Sequence, residues 1–361
     1  MRIFFFLLFF SQIASAQGWL LHDISVLFPM PPSPVDANSL IGSSVGPLGR
    51  LLPLSLAQRL PQLEPSLKRE TQLQNLEVVG VRIDPPEIRL VWGVYGRSTG
   101  RSLSALDTAV HTFHRMSNER SFMLSLKKIS LLTRRDVTLQ MPLSVHPTLY
   151  RQGLSGEYGQ ALKQLLLSNI GERNLFKVTF MTVSAANLKW DFGGFIFTNG
   201  AYAPLQIPRV NTNRVQVFIN DAFPENFAGG MGPAPQGQDT FLRLLSDSQK
   251  SQVSEPSNLT EAHGMASRLE NPQFENAATA DCVSCHLAGP VRQWTEKQNP
   301  RLQQSFQNRY VTQAFSLQNF YSRYFRTDNL RAFGWFGETP SINQRTINET
   351  AYVATRLNSL Y

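Results

Sequence analysis

The chain has only two cysteines in 361 residues, three apart in the stretch TADCVSCHLAGP (279–290), and a histidine directly follows the second. This spacing constrains the fold in two ways. Cys282 and Cys285 cannot staple distant segments together, and a disulfide between them would close too small a loop to restrict the unfolded chain much. Packing must therefore hold the core. The triplet Cys282, Cys285 and His286 also needs about one turn of helix-like chain if all three side chains are to serve one site.

The pattern C-x-x-C-H is that of c-type haem attachment. Each thiol can add to one vinyl group of the same porphyrin, and the next residue projects its imidazole under the iron as the proximal ligand. The expectation is one covalently held haem c per chain. A zinc site wants four ligands, and no second cysteine pair exists to supply them. A thioredoxin-like pair would need a βαβ context before it, whereas a Pro-terminated helical pattern and a polar loop precede Cys282.

The N-terminus fits this chemistry. Met1-Arg2, the apolar run Ile3–Phe10 and a segment ending in ASA at Ala16 read as a secretory signal peptide over 1–16. The apolar part is far shorter than the ~20 residues of a spanning helix, so no membrane span is expected after its removal. An exported protein, periplasmic or extracellular, is the expectation. Net charge is +8, with the basic residues scattered rather than gathered in a patch, so nucleic-acid binding is not indicated. From Leu287 onward nine Lys or Arg stand against four acids. That excess suits an acidic redox partner protein or haem propionates, although most of these side chains read as solvated surface.

Residues 17–223 read as an α+β, or mixed α/β, domain. Val79, Val81 and Ile83 alternate before Pro85-Pro86, and Ile88, Leu90, Trp92 and Val94 alternate after it, which predicts two paired strands. Helical spacing is read for Leu106, Ala109, Val110 and Phe113, for Phe122, Leu126 and Ile129, and for Tyr158 to Leu166. Segments 174–183, 190–197 and 214–221 predict three more strands. A Gly/Pro/Ser-rich linker is placed at 224–257, with a short helix at Thr240–Leu245. The remainder, 258–361, reads as a small all-α domain. Asn258 is its expected first cap with Glu261 in a capping box, Pro272 ends that helix, and Ser341 is the expected cap of the last helix.

On the residues of C-x-x-C-H, with a helix before and helices after, 258–361 resembles a single-haem c-type cytochrome domain. The resemblance implies a proximal ligand at His286 and thioether links at Cys282 and Cys285. It departs from the class I pattern where that family carries its ligand methionine. Here the segment is AFGWFGETP (332–340), and neither Met nor His occurs after His286. Phe333, Trp335 and Phe336 can wall a pocket but cannot bind iron. The distal candidates nearest in sequence are Met265 and His263. Met265 is favoured of the two because it lies on the apolar stripe of its helix, although core packing is the simplest role for that stripe. Asp107, His111 and His114 fall at i, i+4, i+7 and read first as a polar helical face. Lys297, Tyr310, Tyr321 and Tyr324 complete the set of donors.

Three functions fit. Electron transfer comes first. A haem enzyme acting on peroxide or another small molecule at an open sixth site is second, and a redox- or gas-sensing binding protein third. No G-x-S-x-G, P-loop or H-E-x-x-H pattern supports a hydrolase.

Overall fold

In the computed structural model the described residues are 18–32, 38–63, 68, 76–97, 103–184, 189–198, 200–210, 214–219, 256–315, 317 and 330–360. The expected signal peptide, nearly all of the expected linker with its short helix, and Tyr321 and Tyr324 lie outside them.

The predicted hairpin forms the centre of the molecule. β4 (Leu76–Asp84) turns at Pro85-Pro86 into β5 (Glu87–Arg97), with Val81 opposite Leu90 and Ile83 opposite Ile88. Around it grows an eight-stranded antiparallel sheet. β1 (Ser25–Leu27) pairs with β4 on one side. On the other side follow β6 (Leu103–Arg115), β7 (Leu175–Ser184), β8 (Lys189–Thr198) and β10 (Val215–Ile219), and β9 (Ala201–Pro204) also pairs with β8. A separate two-stranded ribbon joins β2 (Val45–Gly46) to β3 (Gly49–Arg50).

One expectation is corrected here. Leu106 to Phe113 is strand, not helix, and occupies β6 between β5 and β7. His111 and His114, which helical spacing would place together, therefore point to opposite faces of the sheet.

The sheet is covered on both faces. Leu90, Trp92, Val110 and Val178 share one core with α3 (Glu119–Ser130) and α5 (Glu157–Asn169), through Phe122, Leu126, Leu162 and Leu166. Both helices follow the predicted apolar spacing. Shorter helices lie at α1 (Leu21–Ile24), α2 (Leu54–Ala57) and α4 (Pro147–Gln152). On the other face β7, β8 and β10 contribute Met181, Trp190, Phe192 and Phe218 to a second core. That core takes Ala262, Ala266 and Leu269 from α6 (Pro256–Leu269) and Val283, Leu287 and Val291 from α7 (Cys282–Gln298).

The C-terminal part is largely helical but not all-α. The segment AFGWFGETP forms a hairpin of β11 (Phe333–Phe336) and β12 (Thr339–Ile342), before α8 (Gln344–Leu360). Ser341 is in β12 and donates to the Arg331 carbonyl, while Asn343 accepts from the Thr346 N–H at the start of α8. Asn258 lies inside α6, which begins two residues earlier, at Pro256. The apolar core also crosses the expected boundary at 224–257. Phe333, Trp335, Ile342, Ile347, Ala351 and Leu357 share the core of Leu21, Ile24, Val79 and Val91. Gly80 marks the closest approach: a Cβ there would stand 2.6 Å from the Phe333 ring and 3.0 Å from the Val26 carbonyl. Among the described residues no helix is long and apolar enough to cross a membrane.

Candidate functional site

The motif occupies the first turn of α7, and three polar contacts hold that turn, two of them from the sheet. Asp281 caps the helix, accepting from the Ser284 N–H at 3.0 Å. Gln216, on β10, donates to the same Asp281 oxygen at 2.6 Å and accepts from the Val283 N–H at 3.0 Å. Burial pushes the Asp281 carboxyl above the ordinary carboxylate range, against the pull of the Ser284 and Gln216 hydrogen bonds. The two thiols are therefore presented by a helix end that cannot swing away from β10.

His286 is held as firmly. Its Nδ1 lies 2.6 Å from the Leu330 carbonyl oxygen, which a protonated Nδ1 satisfies as donor. Nε2 is then the nitrogen that carries the lone pair. Leu330 is itself anchored, because its N–H donates to Asp107 Oδ2 at 2.8 Å, an oxygen that also accepts from Trp190 Nε1 at 3.0 Å. The imidazole packs on Phe192, ring centroids 5.0 Å apart. Burial lowers its pKa to about 4, so the ring is neutral at physiological pH. Burial likewise raises both thiols, and Cys282 and Cys285 are not disulfide-bonded.

All three side chains open onto one cavity of about 380 Å³. Its floor is one face of the sheet, and the register shows why. Arg82 stands opposite Arg89, Val91 opposite His111, His111 opposite Thr179, and Met181 opposite Phe192, all on neighbouring strands with side chains on the same side. Ala109, Phe113 and Lys177 belong to the same floor, and Phe333 and Arg345 also line the cavity. The wall is thus apolar with a cationic margin. Arg89 and Lys177 both sit over the Phe113 ring, at 4.6 and 4.1 Å from its centroid. Burial lowers the Arg89 pKa to about 10, which leaves it charged. Glu349 offsets part of this charge, bonding Arg82 at 2.7 Å and Arg345 at 2.8 Å. Burial alone would raise Glu349, but Arg345, Arg82 and Arg89 outweigh it and hold the carboxyl at about 2.

His111 lies in the middle of the floor, with one strand, β7, between it and the Phe192 on which His286 packs. Its pKa is well below 6.5, first from burial and then from the charges of Arg89, Arg331 and Arg82. Among the described residues neither ring nitrogen has a hydrogen-bond partner.

The expected distal candidates are elsewhere. Neither Met265 nor His263 lines this cavity. Met265 packs against the core formed by α6, α7 and the sheet. His263 is in a buried ion network, 3.2 Å from Glu296, which also binds Arg292 and Arg309 while Arg292 binds Glu270 at 2.6 Å. Its ring is already committed to holding α6 against α7. His114 faces the opposite side of the sheet, near the Gly171 carbonyl and Thr112. Tyr310 lines a different cavity of about 340 Å³ beside Arg292 and Arg309, and Lys297 is exposed. Sequence reasoning passed over Gln216, Arg89, Lys177 and Met181, and it read Asp107 and His111 on the wrong element. Alternation of Thr108, Val110 and Thr112 was the signal that could have found the strand.

No family profile, no curated protein and no solved structure matches this chain.

Proposed function

We propose that the protein is an exported c-type cytochrome that carries one haem c and transfers electrons. Cys282 and Cys285 hold the haem covalently, and His286 is its proximal ligand. The observation that carries the reading is the convergence of both thiols and a pre-oriented imidazole on one cavity with an apolar wall and a cationic margin. The donor set suits the group. Two neutral thiols on one helical turn are available for thioether formation, and an imidazole with its Nδ1 committed to Leu330 presents Nε2. Phe113, Phe180, Phe192 and Phe333 offer the ring contacts that a porphyrin face needs, and Arg89, Lys177 and Arg345 offer charge to its propionates. Bound haem supplies a one-electron couple. The chain's own part is to exclude water from that couple, fix the His286 ring and balance the carboxylates. The basic excess after Leu287 suits an acidic partner, and the N-terminal sequence suits export to the periplasm.

The helical segments around the motif belong, in this reading, to a cytochrome c-like region inserted against the sheet rather than standing alone. A haem enzyme is the second reading, favoured by the cations Arg89 and Lys177, which could draw an anionic small molecule to the same floor.

The test is a pyridine haemochrome assay on protein made in a host with a working c-haem maturation system. One haem per chain should remain after acid-acetone extraction, and Cys282→Ala with Cys285→Ala should abolish it. Full extraction of haem from the unaltered protein would overturn the reading. A ferrous form that is high-spin and binds carbon monoxide would favour the enzyme over the carrier.

A further inference from the structure

The sequence provides no methionine or histidine after the motif, so a sixth iron ligand has to come from somewhere the linear order does not suggest. We infer that it is His111, supplied by the central strand β6 of the sheet. The inference rests on the haem reading above and adds to it the identity of the distal ligand.

Of the chain's six histidines, all of them described, His22 and His146 pack edge to face in the core, with His146 stacked on Tyr158. His114 is turned to the far face of the sheet, and His263 is locked in the Glu296 network. His286 is the proximal group. His111 alone remains, and it is the second histidine whose ring lines the motif's cavity. Its immediate surroundings are Val91, Ala109, Phe113 and Thr179, which leave the imidazole without a hydrogen-bond partner among the described residues. A half-buried imidazole so placed, with no hydrogen-bond partner among the described residues, has a ring nitrogen available to a metal.

Among the described residues the same cavity also presents Met181, Lys177 and two carboxylates, and the carboxylates are already engaged, Asp281 by Gln216 and Ser284 and Glu349 by Arg82 and Arg345. Met181 is 3% exposed and packs with Trp190 and Phe192, so its thioether is part of the core. The Lys177 ammonium is seated over the Phe113 ring. Neither stands clear of its neighbours as His111 does. Ligation by His111 would also give the sheet a direct role: the large strand-rich part of the chain would hold one side of the iron, and the motif helix the other. It predicts a bis-imidazole centre with a lower potential than a histidine–methionine one, since imidazole favours ferric iron and a thioether ferrous.

The experiment uses the full-length holoprotein with His111→Ala, His111→Met and Met181→Leu. Haem content is measured by pyridine haemochrome, and spin state by absorption and electron paramagnetic resonance. The unaltered protein should be low-spin in both oxidation states. His111→Ala should keep one covalent haem but become high-spin and bind carbon monoxide, and added imidazole should restore the low-spin spectrum. His111→Met should stay low-spin with a raised potential, which separates lost ligation from lost folding. Met181→Leu should leave the spectrum unchanged. A low-spin spectrum in His111→Ala without added imidazole, a high-spin unaltered protein, or loss of the low-spin form in Met181→Leu would overturn the assignment while leaving covalent haem intact. Absence of covalent haem from the unaltered protein would instead overturn the reading beneath it.

Discussion

Asp107 and His286 are joined through a single residue: Leu330 donates its N–H to Asp107 Oδ2 at 2.8 Å, and its carbonyl lies 2.6 Å from His286 Nδ1. The sheet thereby sets the orientation of a ring on α7, across 223 residues of chain in the first bond and 44 in the second. Removing the carboxylate in Asp107→Ala strands two buried donors, the Leu330 N–H and Trp190 Nε1–H. Each should cost about 1–3 kcal/mol. A lower urea midpoint is the expected result. In the holoprotein the loosened His286 should be a poorer electron donor and the potential should rise. Asp107→Asn, which keeps an acceptor oxygen, should lose less in both measurements.

Gln216 is the corresponding clamp on the cysteines. Its amide satisfies Asp281 and the Val283 N–H together, so Gln216→Leu should cost about 1–3 kcal/mol in chemical denaturation. Asp281→Ala removes the helix cap as well and should cost about 0.5–2 kcal/mol through that loss alone. If the clamp orders the attachment turn, both variants should also lower the fraction of chains carrying covalent haem. An unchanged haem yield with lowered stability would show that the turn orders itself.

The site was legible in the sequence only where its parts are local. Cys282, Cys285 and His286 are neighbours along the chain, so spacing alone predicts that they share one helical turn, as they do. Gln216, Asp107 and Leu330 reach them only after the sheet has formed, and no local pattern encodes that. The paired strands around Pro85-Pro86 were legible because Val81, Ile83, Leu90 and Trp92 alternate. β6 was not, because both of its faces are largely buried: Val110, Thr112 and His114 meet one core, and Ala109 and Phe113 line the cavity. A strand buried on both sides loses the polar alternation that identifies it, and Leu106, Ala109, Val110 and Phe113 then fit a helix equally well. That misreading put His111 on a polar helical face, whereas strand β6 turns it into the cavity that the motif lines.

Arg292 tests the network that occupies His263. Its guanidinium lies 2.6 Å from Glu270 and 3.0 Å from Glu296, and it is 2% exposed. Arg292→Ala would take from the buried Glu270 carboxylate its ion-pair partner and leave Glu296 with Arg309 and His263, at a cost of about 3–5 kcal/mol. Thermal unfolding should register a large drop in Tm. Under the proposed haem reading, the spectrum of the folded fraction should be unaltered, because none of these groups lines the motif's cavity. A change of spin state in this variant would mean that His263 communicates with the iron after all.

Acid acts on a buried histidine pair. His22 and His146 are fully buried, their ring centroids 5.6 Å apart, and neither His22 nitrogen has a hydrogen-bond partner among the described residues. Burial lowers His22 to about 4, and burial together with the neighbouring His22 lowers His146 to about 2. Both folded-state values lie below that of an exposed histidine, so the unfolded chain takes up protons first as pH falls. The stability that depends on neutral rings is fully present above about pH 6.5 and is lost progressively as pH falls, down to about 4 for His22 and about 2 for His146. For His22 the loss across that window is roughly 3 kcal/mol. His22→Leu exchanges an unbonded imidazole for an apolar side chain in an apolar core, so it should cost little at pH 7 and flatten the acid side of the stability profile. His146→Leu should flatten it too, but with a penalty at every pH, because His146 caps α4 through the Leu149 N–H. Urea titrations from pH 7 to pH 4 make the comparison. Parallel profiles for His22→Leu and the unaltered protein would show that this pair is not the acid-sensitive element.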